Sequence, residues 1–298
     1  MAVVRTPKYR PLWRRSELTV RGLRVSLLER ESPLLADTAP IVMLHGLVSE
    51  STCYKRLLHR LPLDRRVIAI DLPGSGYSER PRPGHEPSCV TFAEMSELVL
   101  GVIKALGLDR PILIGHSHGG AISLTLATRH PEQLRGLVLL CPAHPYSGVE
   151  RKIVRFYLSA VGHAFAHMLP RLPDWLMLFV FRHMPGSRRT LEMTDIAPYL
   201  HTLRTPGTVD HILQMVARWN EDMHQLGTRL DLSPIELPTL MVWGERDVVV
   251  PAWSARRLAA RLSDGELVSL HGVGHLPNDE SPNKAAAVIH DWLSNRAL

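Results

Sequence analysis

Gly115-His-Ser-His-Gly-Gly120 follows the apolar run 111–114 directly and opens a helical stretch. A G-x-S-x-G match is weak by itself, and the strand–turn–helix setting gives it meaning. A serine there sits on a sharp turn whose flanking glycines relieve crowding, with its hydroxyl exposed and a helix N-terminus aimed at it. Such a hydroxyl needs a base, itself oriented by an acid. In the chain order Ser, Asp/Glu, His, the candidates are Asp247 in Trp243-Gly-Glu-Arg-Asp-Val-Val-Val-Pro251 and His275 in His271-Gly-Val-Gly-His-Leu-Pro277. Glu245 competes with Asp247, but Asp247 precedes an apolar stretch that would turn it inward. His271 competes with His275, which has the flexible Gly-Val-Gly before it.

An oxyanion needs two backbone N–H donors. One is expected from His118, the residue after the serine. The other is expected from Leu47, in the loop that ends Ile41-Val-Met-Leu-His-Gly-Leu-Val48. His45 in that loop reads as a stabilising residue rather than a base. The His118 side chain, forced close to Ser117, is expected either to contact substrate or to fill the pocket floor.

The elements that must position these groups alternate. Residues 18–28 read as a hairpin around Gly22. Short apolar runs follow at 41–44, 67–70, 111–114 and 137–140, with helices at 52–61, 91–106 and 119–129 between them. Runs of this kind suit strands buried on both faces of a parallel sheet. After Cys141-Pro142 the alternation stops. From 145 to 233 the chain is helical, rich in Met, Trp, Phe and His, and interrupted by Pro170, Pro173, Pro185, Pro198 and Pro206. Strands resume at 237–243 and 266–270, and a helix closes the chain at 284–296. The expectation is one α/β core, 1–144 and 234–298, with a basic leader at 1–17 and a helical cap at 145–233.

The chain has 298 residues, 45% hydrophobic and 21% charged, enough for a large core. Its most apolar stretch, 175–181, stops at Arg182, short of the ~20 residues a membrane span needs. No apolar segment backs the basic N-terminus as a secretory signal would. Cys53, Cys89 and Cys141 form no CxxC pair, which suits a reducing compartment. Cytoplasm is the expected location. The net charge of +6 is concentrated in residues 1–36, where eight Lys/Arg face Glu17, Glu29 and Glu31. No nucleic-acid module accompanies them, so a solvated leader is expected. His163 and His167 lie i, i+4 without a third ligand beside them, so neither a metal nor another cofactor is expected.

Taken in order, His45-Gly46, Asp71-Leu-Pro-Gly-Ser-Gly76, Gly115-His-Ser-His-Gly-Gly120, Gly244-Glu-Arg-Asp247 and Gly274-His275 resemble the α/β-hydrolase superfamily, in the branch with a helical cap after the sixth strand. The resemblance spans roughly residues 18–295. It implies a mostly parallel sheet with helices on both faces, and a structural turn role for Asp71. A serine at the elbow excludes the alkyl-ester chemistry of dehalogenases and epoxide hydrolases. Carboxylesters, lactones, thioesters, amides and the C–C bonds of ring-fission products remain. The C–C hydrolases of the branch usually carry Asn where this chain has His116, so an ester of a small or medium apolar molecule is the expected substrate. C–C hydrolysis, acyl transfer and a receptor with little turnover are the alternatives. Among the apolar residues of 153–181, a surplus lining a cleft would suit an apolar group. Tyr146, Tyr157, Trp175 and Phe179 are the expected substrate contacts beside His118.

Overall fold

In the computed structural model, residues 13–31, 38–82, 84, 86–148, 150–183, 191–229, 232 and 235–298 are described. Most of the basic leader (1–12), Pro185 and the expected cap boundary at Ser233 lie outside them. The first strands, β1 (Trp13–Val20) and β2 (Leu23–Arg30), form an antiparallel hairpin with Val20 opposite Leu23. Arg21 and Gly22 both take positive φ, 51° and 81°. That pair suits the right-handed twist of a two-residue hairpin.

Every residue of β3 (Ile41–Leu44), β4 (Val67–Ile70), β5 (Ile112–His116), β6 (Gly136–Leu140) and β7 (Thr239–Gly244) is buried, as the unbroken apolar runs require. With the more exposed β8 (Gly265–Leu270) they complete an eight-stranded sheet of order β1-β2-β4-β3-β5-β6-β7-β8. All neighbours from β4 to β8 are parallel, while β2 meets β4 antiparallel. The chain leaves β3 for β4 on one side and returns to β5 on the other. This reversal is a topological switch point, where the carboxyl-end loops diverge and open a crevice. Leu44 pairs with Gly115 there, so the loops after β3 and β5 begin side by side.

The region expected as one helix at 52–61 is a 3-10 turn (Ser51–Tyr54) running into a single turn, α1 (Lys55–Leu58). The wholly buried Arg30 explains the early stop. Its guanidinium donates to the carbonyls of Leu58 (3.1 Å), Leu61 (3.2 Å) and Pro62, the groups a helix end leaves without donors. Helix α2 (Phe92–Ala105) starts at a capping box between Thr91 and Glu94, and α3 (His118–Arg129) springs from the serine turn.

Among the described residues, five α-helices separate β6 from β7: α4 (Glu150–Tyr157), α5 (Ala160–Met168), α6 (Asp174–His183), α7 (Met193–Arg204) and α8 (Thr208–His224). Pro198 does not interrupt the chain as expected. It lies buried inside α7, which is held to the sheet side by a series of polar ties. Arg56 pairs with Asp195 (2.5 Å), Tyr199 donates to Asp279 (3.0 Å), His201 meets Glu50, and Thr202 donates to the Ser49 carbonyl (3.1 Å). Short helices α9 (Ala252–Ala259) and α10 (Pro277–Glu280) and the longer α11 (Pro282–Asn295) complete the chain.

Helix α8 also reaches the core, where the buried Asp222 accepts the Phe92 N–H at 3.2 Å. Burial pushes its carboxyl up to about 7. The folded chain therefore keeps a proton that the unfolded chain releases between about pH 4 and about pH 7, and stability falls as pH rises through that window. Asp222→Asn keeps an acceptor for Phe92 and removes the titration. Thermal melts should show the variant equal to the parent below about pH 4 and more stable above about pH 7.

Candidate active site

Ser117 stands at φ 49°, ψ −115°, a positive-φ conformation that a residue with a Cβ adopts only under constraint. The constraint comes from the neighbouring strand end. The Ser117 N–H donates to the Leu140 carbonyl (3.0 Å), and its own carbonyl accepts from Gly120 and from Ala143, both at 2.9 Å. Behind it, a Cβ on Gly119 would stand 2.2 Å from the Leu44 carbonyl oxygen, so only glycine lets α3 lie this close to β3.

The loops after β7 and β8 bring the other groups. Asp247 is buried and accepts the N–H groups of Val249 and Val250 on one oxygen, each at 2.9 Å. Its second oxygen accepts from His275 Nδ1 at 2.8 Å, and His275 Nε2 lies 3.0 Å from Ser117 Oγ. With the Nδ1 proton committed to Asp247, Nε2 keeps a lone pair aimed at the hydroxyl. The competing residues pair with each other: His271, 86% exposed, meets Glu245 at 2.8 Å in solvent.

Two residues that the sequence reading left without a role hold His275 in place. Glu280, buried at the end of α10, accepts the N–H of Gly274 (2.6 Å) and of Leu276 (3.0 Å), one on each side of the histidine. His116, treated above only as a mark distinguishing substrates, donates from Nε2 to the His275 carbonyl at 2.8 Å. Burial, then the neighbouring His275, pushes the His116 imidazole down to about 3, so it stays neutral. No local sequence pattern marks Glu280, which stands among the polar residues Asn278, Asp279 and Ser281.

The loop after β3 closes the site from the other side. A Cβ on Gly46 would meet His116 Nδ1 at 2.8 Å and Ser117 Cβ at 3.3 Å, so the loop touches the serine turn. His45 stitches it down, with Nδ1 donating to the Gly46 carbonyl (2.8 Å) and Nε2 accepting from the Leu72 N–H (3.0 Å). The amides of Leu47 and His118 have no hydrogen-bond acceptor among the described residues. Asp71 anchors the neighbouring turn by accepting from Ser51 N (2.7 Å), Arg15 (2.6 Å) and Tyr77 N (3.1 Å).

The imidazole of His118 is buried between Trp219 of α8, stacked at 5.7 Å, and Phe92, tilted at 5.5 Å. Burial pushes it down to about 3. The other expected substrate contacts have different neighbours. Tyr146 lies under Arg261 (5.1 Å) beside His144, and Tyr157 packs edge-on against Phe156. Trp175 and Phe179 are 70% and 57% exposed on α6. Their rings point into solvent because the inward face of α6 is already taken by Met177 and Phe181.

Cys141, Asp247 and His275 could offer three ligand atoms within 4.8 Å of one another. Burial pushes the Cys141 thiol well up, which keeps it protonated, and the other two groups hydrogen-bond each other. The carboxylate thus supports the imidazole, while the thiol lies 3.9 Å from the carbonyls of Val242 and Gly274. His167 of the His163/His167 pair faces Asp210 at 3.5 Å on an exposed surface.

Glu280→Ala would leave two buried N–H groups flanking His275 without acceptors. Urea unfolding should report a loss of about 3 kcal/mol. The downfield proton resonance of the His275–Asp247 hydrogen bond should broaden or disappear.

The model of the alpha/beta hydrolase family matches residues 41–288. The uncharacterized hydrolase YugF of Bacillus subtilis (strain 168) is 28% identical over 281 residues, covering 92% of this chain and 96% of its own. A 2-hydroxymuconate semialdehyde hydrolase of Pseudomonas sp. (strain CF600) is 29% identical over 288 residues, covering 93% of each chain. The crystal structure of Cfl2 from Burkholderia cenocepacia superposes with a TM-score of 0.80 at 20% identity, covering 96% of this chain and 97% of that one. An eight-stranded, mostly parallel sheet, a serine turn at its switch point and a family match over most of the length agree: this chain belongs to the alpha/beta hydrolase family.

Proposed function

We propose that the protein is a serine hydrolase that cleaves a carboxylic ester of a small or medium apolar molecule through an acyl-enzyme. The hydrogen-bonded chain Ser117–His275–Asp247 carries this reading. In the proposed reaction His275 Nε2 takes the Ser117 proton as Oγ attacks the acyl carbon, and Asp247 stabilises the imidazolium that forms. The free amides of Leu47 and His118 receive the developing oxyanion. The imidazolium then protonates the leaving alcohol. Water, deprotonated by the same nitrogen, releases the acid and restores the serine.

Residues 145–233 act in this reading as the cap over the crevice, with the core in 1–144 and 234–298. The ties through Asp195, Tyr199, His201 and Thr202 make α7 its fixed part. Trp175 and Phe179, exposed on α6, would reach a substrate only through rearrangement of that helix, so they are secondary candidates beside Tyr146 and Tyr157. His118 offers the pocket one N–H and one lone pair rather than a charge, because burial keeps it neutral. The substrate is a small molecule needing no cofactor for this chemistry. Three free, buried cysteines are compatible with the cytoplasm.

C–C hydrolysis on the same three residues is the second reading. It draws support from the relative named as a 2-hydroxymuconate semialdehyde hydrolase. The argument against it from His116 weakens, because the His116 ring faces the His275 loop.

A fluorophosphonate probe is expected to label the protein and fail on Ser117→Ala, with turnover down about 10⁴-fold or more. Folded protein that resists labelling would rule out the serine mechanism. Purified protein screened on esters of graded chain length, lactones, thioesters and a ring-fission diketone should favour short to medium esters. Activity confined to the diketone would replace the ester reading with the C–C one. His118→Leu should raise KM more than it lowers kcat for the best substrate, and unchanged kinetics would remove its side chain from the binding site.

A further inference from the structure

Helix α5 turns its large apolar side chains away from the protein. Val161, Phe165 and Met168 recur at i, i+4 and i+7, on one helical face, and are 71%, 37% and 45% exposed. The buried residues of the helix are Gly162 and Ala166. A Cβ on Gly162 would stand 1.9 Å from the Phe156 carbonyl oxygen, so α5 lies backbone to backbone against the end of α4. Small residues inward and large apolar residues outward reverse the ordinary pattern of a surface helix. Phe156 and Leu158, both exposed at the end of α4, extend the same surface, and the rings of Phe156 and Phe165 meet edge-on at 5.9 Å. Isolated exposed apolar residues need no explanation, but a run with touching rings marks an interaction surface.

Charge narrows the occupant. Residues 145–190 contain seven Lys/Arg against only Glu150 and Asp174, and Asp174 is taken up by Arg204 at 2.6 Å. Exposed Arg155 adjoins Phe156 at one end of the surface, and exposed Arg171 follows α5 at the other, donating to the His167 carbonyl. A second copy related by a two-fold axis would bring the face flanked by Arg155 and Arg171 against itself. A bilayer containing anionic lipid offers both an apolar phase and negative charge at its boundary. No described helix is long and apolar enough to cross a membrane, so the contact would be peripheral.

We propose that the exposed face of α4 and α5 docks the protein on the surface of an anionic phospholipid membrane. Val161, Phe165 and Met168 enter the boundary of the acyl chains, while Arg155 and Arg171 lie at the level of the phosphates. The inference is independent of the ester reading, because none of these residues belongs to the proposed catalytic chain.

Co-sedimentation of the full chain with vesicles tests it, using phosphatidylcholine alone and phosphatidylcholine mixed with phosphatidylglycerol. Binding to the mixed vesicles should be at least about tenfold stronger and should weaken in high salt. Val161→Ser/Phe165→Ser should lower binding about tenfold or more, with circular dichroism and fluorophosphonate labelling unchanged. Arg155→Glu/Arg171→Glu should erase the preference for phosphatidylglycerol. Failure of the parent protein to bind either vesicle would overturn the proposal, as would equal binding by the parent and the double serine variant. A parent dimer that the serine substitutions convert to monomer would assign the face to a second copy and overturn it equally.

Discussion

The backbone of Ser117 is held in a conformation it would not choose, and much of the surrounding architecture follows from the need to hold it there. Its N–H and carbonyl are tied to the end of β6 and the chain just beyond it. The following helix must approach β3 closely enough that Gly119 has no room for a side chain. Both demands are met because β3, β5 and β6 are adjacent parallel strands whose carboxyl ends lie together. The same adjacency sets Gly46 against the serine turn, where the Leu47 and His118 amides are unpaired among the described residues. Wholly buried central strands can impose such strain because they cannot shift without opening the core.

The histidines around the serine are sorted by their surroundings. His45, His116, His118 and His144 are all buried, and burial pushes each below the ordinary imidazole range. They serve as neutral hydrogen-bonding or packing groups: His45 joins two loops, His116 props a third, and His144 meets Ser254 at 3.0 Å. His275 alone among these five has a buried carboxylate against its ring.

The helices between β6 and β7 divide by how they meet the core. Helices α7 and α8 reach it through buried polar contacts, including Tyr199 with Asp279 and Asp222 with Phe92. Burial pushes both of those carboxyls up, Asp279 to about 8 and Asp222 to about 7. Helix α5 has no comparable buried tie among the described residues and leaves its large apolar residues outside. One part of this helical region is therefore tied to the core, and another leaves large apolar side chains exposed.

The strands, the serine turn and the order Ser, Asp, His were legible from sequence because each depends on local properties. Unbroken apolar runs give buried strands, and the glycine pattern gives the turn. Sequence alone ranked Asp247 over Glu245 and His275 over His271 by their neighbours, and only folding separates the pairs, placing one in the buried crevice and the other in solvent. The roles of Glu280, His116 and Arg30 arise only in three dimensions. Each acts on backbone groups brought near by strand pairing or by a turn, and nothing in side-chain periodicity reports that proximity. The aromatic residues of 153–181 mark the same boundary. Their types announced apolar contact, but helix packing decided that Trp175 and Phe179 face solvent while Met177 and Phe181 face the core.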